Sequence, residues 1–238
     1  MANSGHTVKA FDEDLADLRG LVSEMGGLAE QAISASLAAL VSRDLDGAAR
    51  IVEADRRIDA IEAEVELRVV RLIALRAPMA DDLRDVLAAL KIAGIIERMG
   101  DYAKNIAKRV PVVSETQPIE PLSILPAMGR LAAEMVRDAL DAFAARDAEA
   151  AVAVCRRDRA VDDFYNSLFR TLLTYMMENP NNISPSTHLL FIAKNLERIG
   201  DHATNIGEMV YFAATGRQMG ERPRGEDIFG DSGDLDKE

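Results

Sequence analysis

Apolar residues recur at steps of three and four through much of the chain, which is the spacing of one face of an α-helix. Between residues 11 and 40 the spacing is kept by Leu15, Leu18, Val22, Met25, Leu28, Ala32, Ala35 and Ala39. Between residues 45 and 76, Ile51, Ile58, Val65 and Leu72 repeat every seven positions, as in a coiled coil. Pro78 ends this second helix, because proline lacks the backbone donor a helix needs. A third helix is predicted from about residue 80 to residue 109.

An internal repeat divides the chain into two similar halves. Residues 97–105 read ERMGDYAKN and residues 197–205 read ERIGDHATN, so Glu, Arg, Gly, Asp, Ala and Asn recur at the same offsets. Residues 55–59, DRRID, return as residues 158–162, DRAVD, at a displacement of 103. Such repeats indicate a duplicated structural unit. The second half should therefore also contain three helices, at about 123–144, 148–178 and 186–215, with a turn at 179–185.

These elements predict an all-α protein of two tandem antiparallel three-helix bundles, related by internal duplication. The first repeat should span residues 1–110 and the second residues 123–216. Residues 111–122 form the connection, since prolines there interrupt any long helix. Residues 217–238 are acidic with few apolar side chains, so we expect a mobile tail that adds nothing to the core.

Length, composition and charge narrow the classes of function. The 238 residues are 48% hydrophobic and 29% charged, the balance of a soluble, helix-rich protein. A formal net charge of −12 argues against direct binding to nucleic acid or to an anionic membrane surface, because both need clustered Lys and Arg. A single cysteine, Cys155, excludes an internal disulfide and favours a reducing compartment. Since no apolar stretch approaches about 18 residues, we expect neither a membrane span nor a secretory signal.

Acidic residues four apart occupy corresponding places on the repeated helices. Because residues four apart lie one above another on a helix face, Glu97 and Asp101 share one stripe, which Asn105 continues. Towards the N-terminus the stripe passes through apolar positions that include Leu87 and Leu90. Carboxylates on such a seam repel each other unless positive charge neutralises them. The stripe is therefore a candidate cation site.

Three further pairs have the same spacing: Glu197 and Asp201, Asp55 and Asp59, and Asp158 and Asp162. Adjacent helices of a bundle lie about 8–10 Å apart, so carboxylates on facing stripes can share an ion. Each half could thus present four acidic side chains to one place. Carboxylate oxygens suit hard cations such as magnesium, calcium and manganese, and iron in bundles of this kind.

A solvated acidic surface is the simpler alternative, which the sequence leaves open. Basic residues lie near two of the pairs, Lys104 beside Asp101 and Lys194 beside Glu197. Neither lysine is shared by the other half, however. The stripe at residues 55–59 continues into further acidic residues, which weakens the case for a site there.

Residues 189–208 read LLFIAKNLERIGDHATNIGE. Together with the equivalent segment of the first half and the duplicated D-R-x-[IV]-D pattern, they resemble the PhoU family of phosphate-uptake regulators. The resemblance covers residues 11–216. It implies a bacterial cytoplasmic protein, often a homodimer, that works at the inner face of the membrane without inserting into it. It also implies coupling of a Pst-type phosphate ABC transporter to a PhoR-type histidine kinase, which keeps phosphate-starvation genes off when phosphate is plentiful.

The resemblance further implies metal binding, because some family members resemble carriers of multinuclear metal clusters held by paired acidic motifs. The matching ligand positions in this chain are Asp55, Asp59, Glu97, Asp101, Asp158, Asp162, Glu197 and Asp201. Asn105 and Asn205 match the family pattern one turn further on and would support the ligands from outside. The implied ions are divalent or trivalent, with iron, zinc, manganese and magnesium as candidates.

We therefore hypothesise a non-enzymatic signalling adaptor, since the sequence offers no pairing of a nucleophile with a base. A carboxylate-bridged metal oxidase or metal store is the alternative from a different class. That chemistry typically uses Glu-x-x-His pairs, which His6, His188 and His202 do not form. His202 is better explained as a packing or surface residue, because Tyr102 replaces it in the first half. A third alternative is an acidic scaffold that binds a basic partner protein.

Overall fold

A computed structural model of the chain describes residues 4–116 and 118–220, and for residues 4–9 the backbone only. The helices in these ranges are α1 Ser4–Ser42, α2 Leu45–Arg76, α3 Asp81–Ala107, α4 Val110–Ser114, α5 Leu125–Ala145, α6 Ala148–Glu178 and α7 Ile183–Thr215. Short 3₁₀ segments at Glu120–Ile124 and Pro180–Asn182 precede α5 and α7. No strand occurs among the described residues. The predicted all-α fold of two three-helix bundles is confirmed.

An Arg-Asp pair sets the break between the first two helices of each half. Arg43 and Arg146 have φ of 56° and 55°, a left-handed conformation that ends a helix. The following residues, Asp44 and Asp147, cap the next helix. Asp44 accepts a backbone hydrogen bond at 2.8 Å, and Asp147 accepts two at 2.9 and 3.0 Å. These carboxylates satisfy N–H groups that lack a partner within the helix.

Helix bounds differ from the predicted ones at three places. α1 begins at Ser4 rather than near Phe11, because a helical backbone can continue beyond the last residue that buries a side chain. α7 begins at Ile183, inside the predicted turn, since Pro185 fits a first helical turn where its missing N–H is not needed. The predicted connection at 111–122 contains most of the short helix α4. Most of the predicted tail lies outside the described residues.

The two bundles pack against each other through their first and third helices. α2 packs on α1 and α3, and α6 packs on α5 and α7. The halves meet where α3 packs on α7 and α1 on α5. Fully buried aliphatic and methionine side chains, among them Leu18, Met25, Ile96 and Met128, fill the core, and their burial is the main favourable term in folding. Within the described ranges, every helix is too short or too polar to cross a membrane.

Asp85 on α3 anchors a buried ion network that joins the halves. Its carboxylate accepts a hydrogen bond from Arg19 of α1 at 2.9 Å and pairs with Nε of Arg146 at 3.1 Å. Burial raises the pKa of Asp85, and the two guanidinium groups oppose that rise. A carboxylate that is 6% exposed needs such partners, because an unpaired buried charge is strongly destabilising.

Two glycines let α1 and α5 approach closely. A Cβ at Gly26 would lie 2.3 Å from Cδ1 of Leu140, and a Cβ at Gly129 would lie 1.9 Å from Cδ1 of Leu37. Residues 26 and 129 are equivalent through the displacement of 103, and so are residues 37 and 140. An approximate two-fold axis therefore relates the two contacts, as expected for a duplicated chain.

Replacing Gly129 with valine should lower the free energy of unfolding by about 1–3 kcal/mol, because the added methyl groups overpack this contact. Gly27→Val is the matched control, since Gly27 is exposed and a Cβ there would meet nothing within 4 Å. Urea unfolding followed by circular dichroism measures both variants. Equal stability of the two would show that α1 and α5 are not in tight contact.

Candidate metal centre

The glycine of the repeated E-R-x-G-D pattern lets each motif helix approach the middle helix of its half. A Cβ at Gly100 would lie 2.9 Å from Ile58 and 3.0 Å from Oδ1 of Asp55. At Gly200 a Cβ would lie 3.2 Å from Val161. The glycines recur in the repeat, but their spacing alone predicts no role for them. Their lack of a side chain lets the facing acidic stripes come together.

Three carboxylates of the second half form one group, named here the second-half cluster: Asp162 of α6 with Glu197 and Asp201 of α7. One oxygen of each lies within 4.8 Å of one oxygen of each of the others. All three residues are partly buried, and the Glu197 side chain is 13% exposed. Oε2 of Glu197 is buried and has no hydrogen-bond partner among the described residues. The structure thus brings together three of the four acidic residues predicted for this half.

Electrostatic repulsion and burial act together on the second-half cluster. Burial raises the pKa of Asp201 to about 7, and repulsion from Glu197, Asp158 and Asp162 adds to the rise. Burial also raises the pKa of Asp162 to about 6, again with repulsion from Asp158 and Glu197. The fourth predicted ligand, Asp158, is half-buried and close enough to contribute to both shifts. Lys194 opposes them and donates to Oε1 of Glu197 at 2.7 Å.

The second-half cluster fits a hard cation. Oxygens that bind one ion at about 2.0–2.6 Å lie at most about 4–5 Å apart, and the cluster is within that limit. Only oxygen donors converge in it, which favours magnesium, manganese, calcium or iron over ions that prefer sulfur. The unpartnered Oε2 of Glu197 supplies a free acceptor. Asp162, Glu197 and Asp201 would hold the ion, with Asp158 beside them.

In the first half a lysine provides the positive charge. The Lys104 ammonium contacts both Asp55 of α2 and Asp101 of α3, the latter at 2.5 Å. Although burial opposes it, hydrogen bonding to Asp101 and Asp55 raises the pKa of Lys104, so the ammonium stays charged. Asp55 is 6% exposed, and this pairing accounts for its burial. In the second half the equivalent Thr204 is buried and donates its hydroxyl to the backbone carbonyl of Asp201 at 2.6 Å.

The other predicted first-half ligands do not come within ligand distance of a shared centre, although they lie near enough to Asp55 and Asp101 for their charges to interact. Asp59 is exposed, and Glu97 is half-buried with a pKa raised by burial and by Asp101. Among the described residues, the first-half carboxylates do not converge as those of the second half do. A first-half metal site stays a prediction, and in the structure an ion pair with Lys104 lies between Asp55 and Asp101. The outer supports also stay predictions, with Asn105 exposed and Asn205 half-buried.

His202 packs where the two motif helices meet. Its ring lies edge-on to Tyr102, with centroids 5.2 Å apart and planes at 87°. Burial lowers the pKa of His202, and a backbone hydrogen bond to Arg198 opposes that shift. Positions 102 and 202 are equivalent in the repeat, so this contact lies near the approximate two-fold axis. The geometry agrees with the interpretation of His202 as a packing residue.

Comparison with known proteins gives consistent matches over both halves. A family model described as "PhoU domain" matches residues 22–110 and residues 125–210. The "Phosphate-specific transport system accessory protein PhoU homolog" of Zymomonas mobilis is 61% identical over 229 residues, which cover 96% of this chain and 97% of that protein. The crystal structure of PhoU from Pseudomonas aeruginosa has a TM-score of 0.83 at 36% identity, covering 87% of this chain and 100% of that one. The phosphate transport system regulatory protein PhoU from Streptococcus pneumoniae has a TM-score of 0.83 at 32% identity, covering 89% and 100%.

Proposed function

This chain belongs to the PhoU family, and on that basis we propose that it is a non-enzymatic negative regulator of phosphate uptake and of the phosphate-starvation response. The observation that carries the proposal is the match over nearly the whole length of a relative named as an accessory protein of a phosphate-specific transport system. The name of the Streptococcus pneumoniae protein, a regulatory protein of phosphate transport, supports the same role.

The regulator acts in the cytoplasm at the inner face of the membrane, where it couples a Pst-type transporter to a PhoR-type histidine kinase. The accessory role named for the relatives supports an association with the transporter. The net charge of −12 suits a basic partner surface rather than anionic lipid headgroups. We include a homodimer in the proposal, as the family resemblance implies.

A metal ion at the second-half cluster is the second part of the proposal. Its support is the convergence of Asp162, Glu197 and Asp201 around a buried, unpartnered oxygen. When bound, the ion would neutralise repelling carboxylates and so link α6 to α7. We assign the ion a structural or regulatory role, in keeping with the non-enzymatic role proposed for the chain.

Deleting the gene should switch on a phosphate-starvation reporter in phosphate-rich medium, because the proposed repression is lost. Reporter activity and uptake of labelled phosphate are measured in the deletion strain, with the intact gene restored as the control. Restoration should return both to the wild-type level. Normal repression in the deletion strain would contradict the regulatory proposal whatever the metal content of the protein.

A further inference from the structure

A basic cleft of about 550 Å³ lies between the end of α3 and the middle of α7. Asn105, Lys108 and Arg109 line it from the first half, and Phe191, Lys194 and Arg198 line it from the second. The volume is within the range of about 300–1,000 Å³ that is typical of small-molecule sites. It is separate from the second-half cluster, although Lys194 touches both, since its ammonium donates to Glu197.

Positive charge in this cleft is largely uncompensated. Lys108, Arg109 and Arg198 form no ion pair with any residue in the described ranges. The protein as a whole carries a net charge of −12, so most of its surface repels anions. A concave site with the opposite sign attracts and concentrates an anionic ligand. The charge pattern therefore predicts that a ligand of this cleft is negatively charged.

Two contacts hold the Arg109 side chain in place, and one of its donors is left without a partner. Its guanidinium lies 4.2 Å from the centroid of the Phe191 ring, and its Nη1 donates to Nδ1 of His188 at 3.2 Å. Its Nε is buried and has no hydrogen-bond partner among the described residues. A buried donor without a partner is costly, and an acceptor from a ligand would remove the cost. Phe191 itself is 51% exposed, which leaves ring surface for a second contact.

We propose that this cleft binds a phosphorylated small molecule of nucleotide size, with its phosphoryl oxygens on Lys108, Arg109 and Arg198 and its ring against Phe191. Guanidinium and ammonium groups are the usual partners of phosphoryl oxygens, because their hydrogen bonds are charge-assisted. An exposed aromatic ring beside them offers a stacking surface for a base. This site is additional to the metal and to the regulatory role proposed above.

Calorimetric titration of metal-free protein with ATP, tripolyphosphate, adenosine and polyglutamate tests the proposal. We expect ATP to bind most tightly, tripolyphosphate more weakly and adenosine weakest. Equal affinity for ATP and tripolyphosphate would overturn the proposed contact between the base of the ligand and the Phe191 ring. Absence of binding by both at millimolar concentration, or adenosine binding as tightly as ATP, would overturn the site. Binding of polyglutamate alone would assign the cleft to an acidic protein segment instead and would also overturn it.

Exposed residues of the cleft allow variants that leave the core intact. Lys108→Glu and Arg198→Glu should each weaken ATP binding by about tenfold or more, the value of a charge-assisted hydrogen bond. Arg130→Glu on α5 makes the same charge change at an exposed position outside the cleft and should leave affinity unchanged. Phe191→Ala should weaken ATP binding and spare tripolyphosphate. An equal loss in Arg130→Glu would show non-specific attraction and contradict the proposal.

Discussion

Replacing Thr204 with lysine should weaken Mn²⁺ binding at the second-half cluster by about 100-fold or more, because it adds a fixed positive charge beside the carboxylates. The first half shows the effect of a lysine at this position, because Lys104 occupies the equivalent place and contacts Asp55 and Asp101. Titration calorimetry with Mn²⁺ on chelator-treated protein measures the change. Circular dichroism reports whether the variant remains helical.

Two further variants separate the charge effect from damage to the fold. Thr204→Val keeps the shape of the side chain and removes only a hydroxyl that donates within its own helix, so it should bind Mn²⁺ like the wild type. Lys104→Thr removes the internal cation of the first half and should leave Mn²⁺ binding at the second-half cluster unchanged. If Thr204→Lys binds Mn²⁺ as tightly as Thr204→Val does, the explanation from charge is wrong.

The carboxylates of the second-half cluster should cost the metal-free protein stability as pH rises from 6.5 to 8. In the folded chain the pKa of Asp201 is about 7 and that of Asp162 about 6, whereas the ordinary pKa of an unfolded aspartate is 3.8. The folded state therefore holds protons that the unfolded state has already released, and it loses this advantage as pH rises through these values. His188 and His202 act in the opposite direction, because burial lowers their pKa values and an unfolded histidine is still partly protonated at pH 6.5.

Thermal unfolding in chelator at pH 6.5 and pH 8.0 measures this dependence. Relative to Asp201→Asn, the wild-type protein should lose about 2–4 °C in Tm between the two pH values, which corresponds to about 1 kcal/mol for a chain of this size. The variant lacks this loss because the group with the higher pKa is removed, whereas both proteins keep the two histidines. Added Mn²⁺ should raise Tm more at pH 8.0 than at pH 6.5, since protons compete with the metal. A wild-type protein no more sensitive to pH than Asp201→Asn would contradict the explanation.

Helices and acidic stripes could be predicted from the sequence because both depend on local spacing. The heptad at Ile51, Ile58, Val65 and Leu72 specifies a buried face, and three of these four side chains are buried. The repeat also located the acidic pairs. Which carboxylates meet depends on how closely two helices approach, and that depends on contacts such as the one between Gly200 and Val161. Spacing along one helix carries no such information.

The role of Lys104 and the basic cleft were harder to predict for a different reason. Sequence proximity linked Lys104 to Asp101, but its contact with Asp55 requires α2 and α3 to face each other. A repeat reveals only residues that the halves share, whereas most of the residues that line the cleft differ between the halves. Phe191 and Arg109, for example, have Lys91 and Met209 at the equivalent positions.

Anomalous diffraction from Mn²⁺-soaked crystals would locate the ion in one half of the chain or the other rather than only count it. The expected result is one anomalous peak per chain, between Asp162, Glu197 and Asp201. Between Asp55 and Asp101 we expect the Lys104 ammonium and no peak. A peak in the first half with Lys104 displaced, or no peak at the second-half cluster at saturating Mn²⁺, would contradict the proposed metal site.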